Sequence, residues 1–146
     1  MFLGGGHDLA FASTSGLLAT HPGIAALANV DTHLDVRPLK NGDTITSGTP
    51  FRRLVERWQA RIVPYAALAV QPQHNAAAHL KWCLDHGFDV HTLEGLRAKG
   101  PIGRTLVDAF TDATRDAPLV SLSLDMDALA AAFAPGTSAP PADGLE

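Results

Sequence analysis

Six side chains suited to binding a metal fall in three short stretches of this 146-residue sequence. His7 sits in Gly4-Gly5-Gly6-His7-Asp8, Asp31, His33 and Asp35 sit in Asp31-Thr32-His33-Leu34-Asp35, and Asp125 and Asp127 sit in Asp125-Met126-Asp127. Each stretch follows an apolar run that reads as a strand, so all three are expected at the carboxyl edge of one parallel sheet, where open α/β sheets bind ligands. An extended backbone has a side-chain period of two, which predicts that Asp31, His33 and Asp35 point the same way, as do Asp125 and Asp127, so that together they build one polar face. Four carboxylates brought together raise one another's pKa, and burial adds to the effect; two divalent cations would cancel the charge. With two imidazoles the donor set is oxygen and nitrogen without sulfur, which suits manganese better than structural zinc, with iron, cobalt and zinc as alternatives. A pair of such ions roughly 3.5 to 4 Å apart can bridge a water and lower its pKa towards neutrality, which is hydrolytic chemistry.

The elements that must position these residues alternate along the chain. Phe2-Leu3 reads as the end of a strand turning through the glycines into a helix from Asp8 to about Ala19. Ile24 to Val30 is a continuous apolar run ending at Asp31, as expected of a strand buried on both faces. Pro38, Asn41-Gly42, Ser47-Gly48 and Pro50 predict a long turn-rich loop leading to a helix from Phe51 to Trp58. Arg61 to Val70 reads as a strand, Asn75 to Asp85 as a helix with Ala76, Leu80, Cys83 and Leu84 on its apolar side, and Phe88 to Leu93 as a short strand. Ile102 to Thr114 predicts an amphipathic helix with Leu106, Val107 and Phe110 inward, followed by a strand from Leu119 to Leu124. Such alternation argues for one α/β domain with a mainly parallel sheet, and residues 134–146, rich in Pro, Gly, Ser and Ala, read as a loop tail that either covers the site or frays.

Composition narrows the function classes. A net charge of −4 with scattered Lys and Arg argues against a nucleic-acid partner. No apolar run reaches the roughly 18 to 20 residues needed to span a bilayer, and no leader pattern follows Met1. The single cysteine, Cys83, favours a reducing compartment, with cytoplasm as the default, and on the apolar side of its helix it reads as an inert packed thiol. His21, His74, His79, His86 and His91 have no partners at ligand spacing and are expected outside the metal site.

Taken in order, Gly-Gly-Gly-His-Asp, Asn-Val-Asp-Thr-His-Leu-Asp and Ser-Leu-Asp-Met-Asp resemble the three metal motifs of the arginase, agmatinase and formiminoglutamase superfamily. The stretches 34–37, 47–52 and 134–140 look most similar to formiminoglutamases, and the likeness runs from residue 3 to residue 145. The resemblance implies a three-layer αβα fold and two Mn²⁺ ions. Asp31 and Asp125 would bridge both ions, with His7 and Asp35 completing one and His33 and Asp127 the other. It further implies hydrolysis of N-formimino-L-glutamate to glutamate and formamide, a step in histidine breakdown; agmatinase, guanidinobutyrase or arginase chemistry is the alternative. Asp35 and Asp127 are the candidates for orienting the nucleophile. Arg37 and Arg52 offer guanidinium forks to the substrate carboxylates, and Ser47, Thr49 and Asn75 are candidate hydrogen-bond donors. Members of the superfamily are about twice as long by this resemblance, so the domain is expected to be incomplete, with homo-oligomers in the parent enzyme and a non-catalytic product as the rival outcome.

Overall fold

Alanine, leucine and valine without a break from Ala25 to Val30, save for Asn29, form β1, buried along its whole length as a strand covered on both faces must be. The structure, a computed structural model, describes residues 1–40 and 44–146; the expected Asn41-Gly42 turn lies outside the described residues. Around β1 the elements follow as α1 (Leu9–Thr20), α2 (Pro50–Trp58), β2 (Ile62–Val70), α3 (Ala77–Asp85), β3 (Asp89–Thr92), α4 (Leu93–Lys99), α5 (Ile102–Thr114) and β4 (Leu119–Leu124). The strands form one parallel sheet in the order β3-β2-β1-β4.

Side-chain alternation along the strands builds a separate core on each face. Leu27, Tyr65 and Ala67 pack with Leu18 of α1, Phe51, Leu54 and Val55 of α2, and Cys83 of α3. On the other face Val30, Ala66 and Leu68 meet Leu93 and Leu96 of α4 and Ala109 of α5. The three-layer αβα arrangement expected from sequence is therefore present, with most element ends within one or two residues of the sequence reading.

Several expectations need correction. Phe2-Leu3 is not strand and is exposed: a strand exists only where a ladder closes, and no described segment pairs with it. Helix α4 was not anticipated, because Leu93 to Lys99 offers only Leu93 and Leu96 as inward residues; Thr92 starts it by accepting a hydrogen bond from the Gly95 amide at 3.0 Å. Val107 and Leu84 face outward at 56% and 58% exposure, since Leu106, Ala109 and Phe110, and Leu80 and Cys83, already fill the narrow stripes their helices present to the sheet. The 134–146 tail, left open between covering the site and fraying, is tied to the rest of the domain. Leu145 bridges Leu129 in parallel, Arg97 binds the Asp143 carboxylate at 2.7 Å and the Gly144 carbonyl at 2.8 Å, and Gln71 donates to the Asp143 carbonyl at 2.8 Å.

Two outcomes test this packing. A Cβ on Gly144 would lie 2.6 Å from the Leu129 carbonyl carbon, so Gly144→Ala is expected to lift the tail, cost about 1–3 kcal/mol in denaturant unfolding and expose residues 134–146 to proteolysis. Burial pushes the Cys83 thiol up to about 12, so in the folded chain it stays protonated well above pH 9 while the unfolded chain ionises there. Thiol reagent at pH 8 is therefore expected to react at the rate of unfolding. The thiol's contribution to stability should fall as pH rises from about 9 towards 12, read as the difference between the unmodified chain and Cys83→Ala.

Candidate metal centre

Chain order runs from β1 outward to β2 and β3 on one side, then β4 returns to pair with the other side of β1. Loops leaving the carboxyl ends of β1 and β4 thus diverge at a topological switch point and open a crevice between them. Asp31 and Asp125 are the first residues past these strand ends, each fixed by a last ladder bond: Asp31 N to Leu68 O and Asp125 N to Val30 O, both 3.0 Å. From the other side, Gly4 and Gly5 take positive φ of 83° and 90°, turning the chain so that His7 stands at the head of α1 facing the same crevice.

Past those last ladder bonds the backbone bends, so the extended geometry expected for 31–35 and 125–127 is replaced by turns. His33 N folds back to Asp31 Oδ1 at 2.6 Å, and Asp35 sits in the left-handed region at φ 49°, which aspartate tolerates better than most residues. Asp125 Oδ1 accepts the Asp127 N–H at 3.1 Å, capping a single 3-10 turn, Met126–Ala128, that swings Asp127 away from Asp125. The six residues still converge, through bends rather than through strand periodicity.

They form two adjoining groups. His7 Nδ1 lies 3.1 Å from Asp31 Oδ2, 2.9 Å from Asp35 Oδ2 and 3.0 Å from Asp125 Oδ2. His33 Nδ1 lies 3.0 Å from Asp127 Oδ2 and 3.5 Å from Asp31 Oδ1. Asp31 belongs to both groups, one oxygen to each, and within each group the ligand atoms all lie within 4.8 Å of one another. Asp125 stands with the His7 group.

Electrostatics couple the two imidazoles to the carboxylates around them. Burial opposes charging the His7 ring, but the carboxylates of Asp125, Asp31 and Asp35 outweigh it and push the imidazole up to about 12. His33 rises to about 10, driven by Asp127 and then Asp31. Burial raises Asp35 to about 6 and lifts Asp127 above its usual range; it also opposes ionisation of Asp31, which His33 and His7 nonetheless hold low. Despite three carboxylate oxygens close by, His7 Nδ1 has no hydrogen bond of acceptable geometry, and Asp127 Oδ1 is likewise buried without a partner. Buried atoms left without hydrogen-bond partners fit a cation site where each can offer a lone pair, as a neutral imidazole and a carboxylate do, and this oxygen and nitrogen set fits manganese.

Further side chains hold the ligands. His7 Nε2 hydrogen-bonds the Ser123 hydroxyl at 2.6 Å, and the Asn29 amide donates to Asp31 Oδ2 at 3.0 Å. Thr32 Oγ1 donates to the Asp127 carbonyl at 2.8 Å, tying the two ligand loops together. Sequence reasoning missed Asn29 and Ser123, although each stands two residues before a ligand aspartate on a strand and so shares its face, which was the available signal.

A cleft of about 950 Å³ opens over the groups, with Arg37, Ser47 and Thr137 on its wall. Gly48 lets the Arg37 side chain fold past it, since a Cβ there would lie 2.7 Å from Arg37 Cδ. Three expected substrate contacts are engaged elsewhere and do not line the cleft. Arg52 Nε donates to Val36 O at 2.9 Å and its guanidinium lies 4.2 Å over the Trp82 ring. Thr49 closes the 44–49 turn by donating to Thr44 O at 2.8 Å. Asn75 brackets the ligand loop, accepting from Leu34 N at 2.9 Å and donating to Thr32 O and Gln71 O, each at 3.0 Å. His21, His74, His79, His86 and His91 are in neither of these two groups.

Comparison with known proteins places the fold in a family. The sequence profile described as the arginase family matches residues 1–146. Formimidoylglutamase of Corynebacterium efficiens is 33% identical over 99% of this chain and 44% of its own length, and that of Bacillus subtilis is 31% identical over the same shares. The crystal structure of Trypanosoma cruzi formiminoglutamase with Mn²⁺ superposes with a TM-score of 0.83 at 34% identity, covering 98% of this chain and 47% of that one. Proclavaminate amidino hydrolase from Streptomyces clavuligerus superposes with a TM-score of 0.78 at 27% identity, covering 98% and 46%. The chain therefore spans slightly less than half the length of these relatives.

The Ser123 contact gives a direct test. Ser123→Ala frees the His7 ring to rotate, and divalent-cation affinity measured by calorimetric titration is expected to fall about tenfold or more while the circular dichroism spectrum is unchanged.

Proposed function

The chain belongs to the arginase family, and on that premise we propose that it holds two Mn²⁺ ions in the service of hydrolysing a carbon-nitrogen bond of a linear amidine, with N-formimino-L-glutamate as substrate. The observation that carries this reading is the pair of adjoining ligand groups sharing Asp31 at the switch point. Formimidoylglutamases among its relatives and a manganese-containing formiminoglutamase among its structural neighbours support it.

His7, Asp31, Asp35 and Asp125 would hold one ion, and Asp31, His33 and Asp127 the other. When bound, such a pair supplies Lewis acidity and an acidified water. The protein's own residues supply the rest. Asp127, a carboxylate raised by burial, is the candidate to orient an incoming water and take its proton. Asp35, held by its left-handed backbone, fixes the opposite side of the crevice. Arg37 presents a guanidinium on the cleft wall where a substrate carboxylate can be gripped in a fork, and the Ser47 hydroxyl lies on the same wall. Water adds to the formimino carbon, the carbon-nitrogen bond to the glutamate nitrogen breaks, and glutamate and formamide leave.

Superposition on an amidino hydrolase favours a second reading, a guanidino substrate releasing urea. The exposed face and open edge of β4 favour a third, a non-catalytic chain that associates through its sheet.

Metal analysis and a substrate panel separate the three. Two manganese ions per chain, formamide released from N-formimino-L-glutamate and loss of turnover on chelation are the expected results. Urea from agmatine, guanidinobutyrate or arginine would replace the first reading by the second, and one ion or none would support the third. Arg37→Ala is expected to lower kcat/KM for the dicarboxylate substrate by about 10–100-fold, the range for a lost hydrogen bond to a charged group.

A further inference from the structure

Asn29 is the only polar residue of β1, fully buried at 0% exposure in the strand that carries the sheet's centre. It lies on the face of Leu27, Tyr65 and Phe51, an apolar neighbourhood. Its Nδ2 donates to Asp31 Oδ2, and the Tyr65 hydroxyl, one pair diagonally away on β2, lies close enough for Asn29 to act on it, although neither Asn29 Oδ1 nor the Tyr65 hydroxyl completes a well-formed hydrogen bond. An amide buried with an open acceptor is destabilising, and an apolar side chain there would avoid the penalty. The bond from Nδ2 to Asp31 is the well-formed hydrogen bond that an apolar side chain would forfeit.

We propose that Asn29 is a positioning residue for the Asp31 carboxylate, anchoring its Oδ2 towards His7 and so governing one of the two cation positions and not the other. The inference rests on the two-cation reading above. Asp31 carries two anchors: the His33 amide holds Oδ1 at 2.6 Å, and Asn29 holds Oδ2 at 3.0 Å. Oδ1 faces His33 and Oδ2 faces His7. Removing the Asn29 amide releases only the oxygen that serves the His7 group and leaves the backbone anchor of the other in place. The cross-strand partner of Asn29 on β4 is Ser123, which holds the His7 ring, so two adjacent strands hold two ligands of the same group.

The experiment is Mn²⁺ titration of the metal-free chain by calorimetry and electron paramagnetic resonance, comparing the unmodified protein with Asn29→Leu and Asn29→Ala. The alanine variant adds no bulk and serves if leucine cannot be accommodated. In either variant, one of the two binding events is expected to weaken about tenfold and the other to stay within about twofold. The thermal unfolding midpoint of the metal-free Asn29→Leu chain is expected to stand no lower than that of the unmodified protein, which a merely structural asparagine would not allow. Two affinities unchanged, or two falling in parallel, overturns the proposal alone. If the unmodified chain takes up no Mn²⁺, the two-cation reading falls and this inference with it.

Discussion

Four carboxylates crowd the carboxyl ends of two neighbouring strands, and their mutual repulsion is the constraint around which the rest of this chain is arranged. Asp31 is all but fully buried and Asp35 and Asp127 nearly so, so water screens them poorly, and the two imidazoles between them are the positive groups that pair with them among the described residues. The fold accepts this repulsion only because each ligand is pinned from behind. Ladder bonds hold the backbones of Asp31 and Asp125, a hydroxyl and an amide hold His7 and Asp31, and the Thr32 hydroxyl ties one ligand loop to the other. Without these tethers the carboxylates would swing apart, and the cheapest relief of the repulsion would be solvent rather than a cation.

Parallel topology explains why the site lies where it does. A sheet whose chain order reverses between β1 and β4 separates the loops after those strands, and the gap is lined by whatever residues follow the last ladder bonds. The glycines before α1 deliver His7 to the same gap, so three segments far apart in sequence meet without any long excursion of the chain. The chain spans less than half the length of its relatives, and the six candidate ligands converge on strands and turns it contains.

Much of this was legible in the sequence, and for identifiable reasons. Apolar runs ending in aspartate announced β1 and β4, since burial on both faces leaves no room for polar residues until the strand stops. Residue type alone picked out the six candidate ligands, which the fold brings together. What the sequence did not reveal depended on long-range packing. Period-two reasoning placed Asp35 and Asp127 on extended backbone, whereas capping by Asp125 and a left-handed turn at Asp35 do the aiming. Arg52 and Asn75 looked like substrate contacts from their place in or near loops, but Trp82 and the 32–34 backbone, distant in sequence, had already engaged them. Helix α4 was hidden by its brevity, and the firm tethering of the tail by Arg97 and Gln71 could not be read from its Pro- and Gly-rich composition.

The alternation along β4 has a consequence of its own. Ser121 and Ser123 turn towards α1 and the ligands, while Val120, Leu122 and Leu124 turn to the opposite face and stay open, Leu122 and Leu124 at 57% and 58% exposure. The strand has no lysine, proline or bulge to deter an incoming chain, and its outer side has no partner strand among the described residues. A concentrated solution of this polypeptide should consequently be colloidally unstable, adhering to itself and to greasy surfaces, and mild detergent or a solubilising fusion would be the practical remedy.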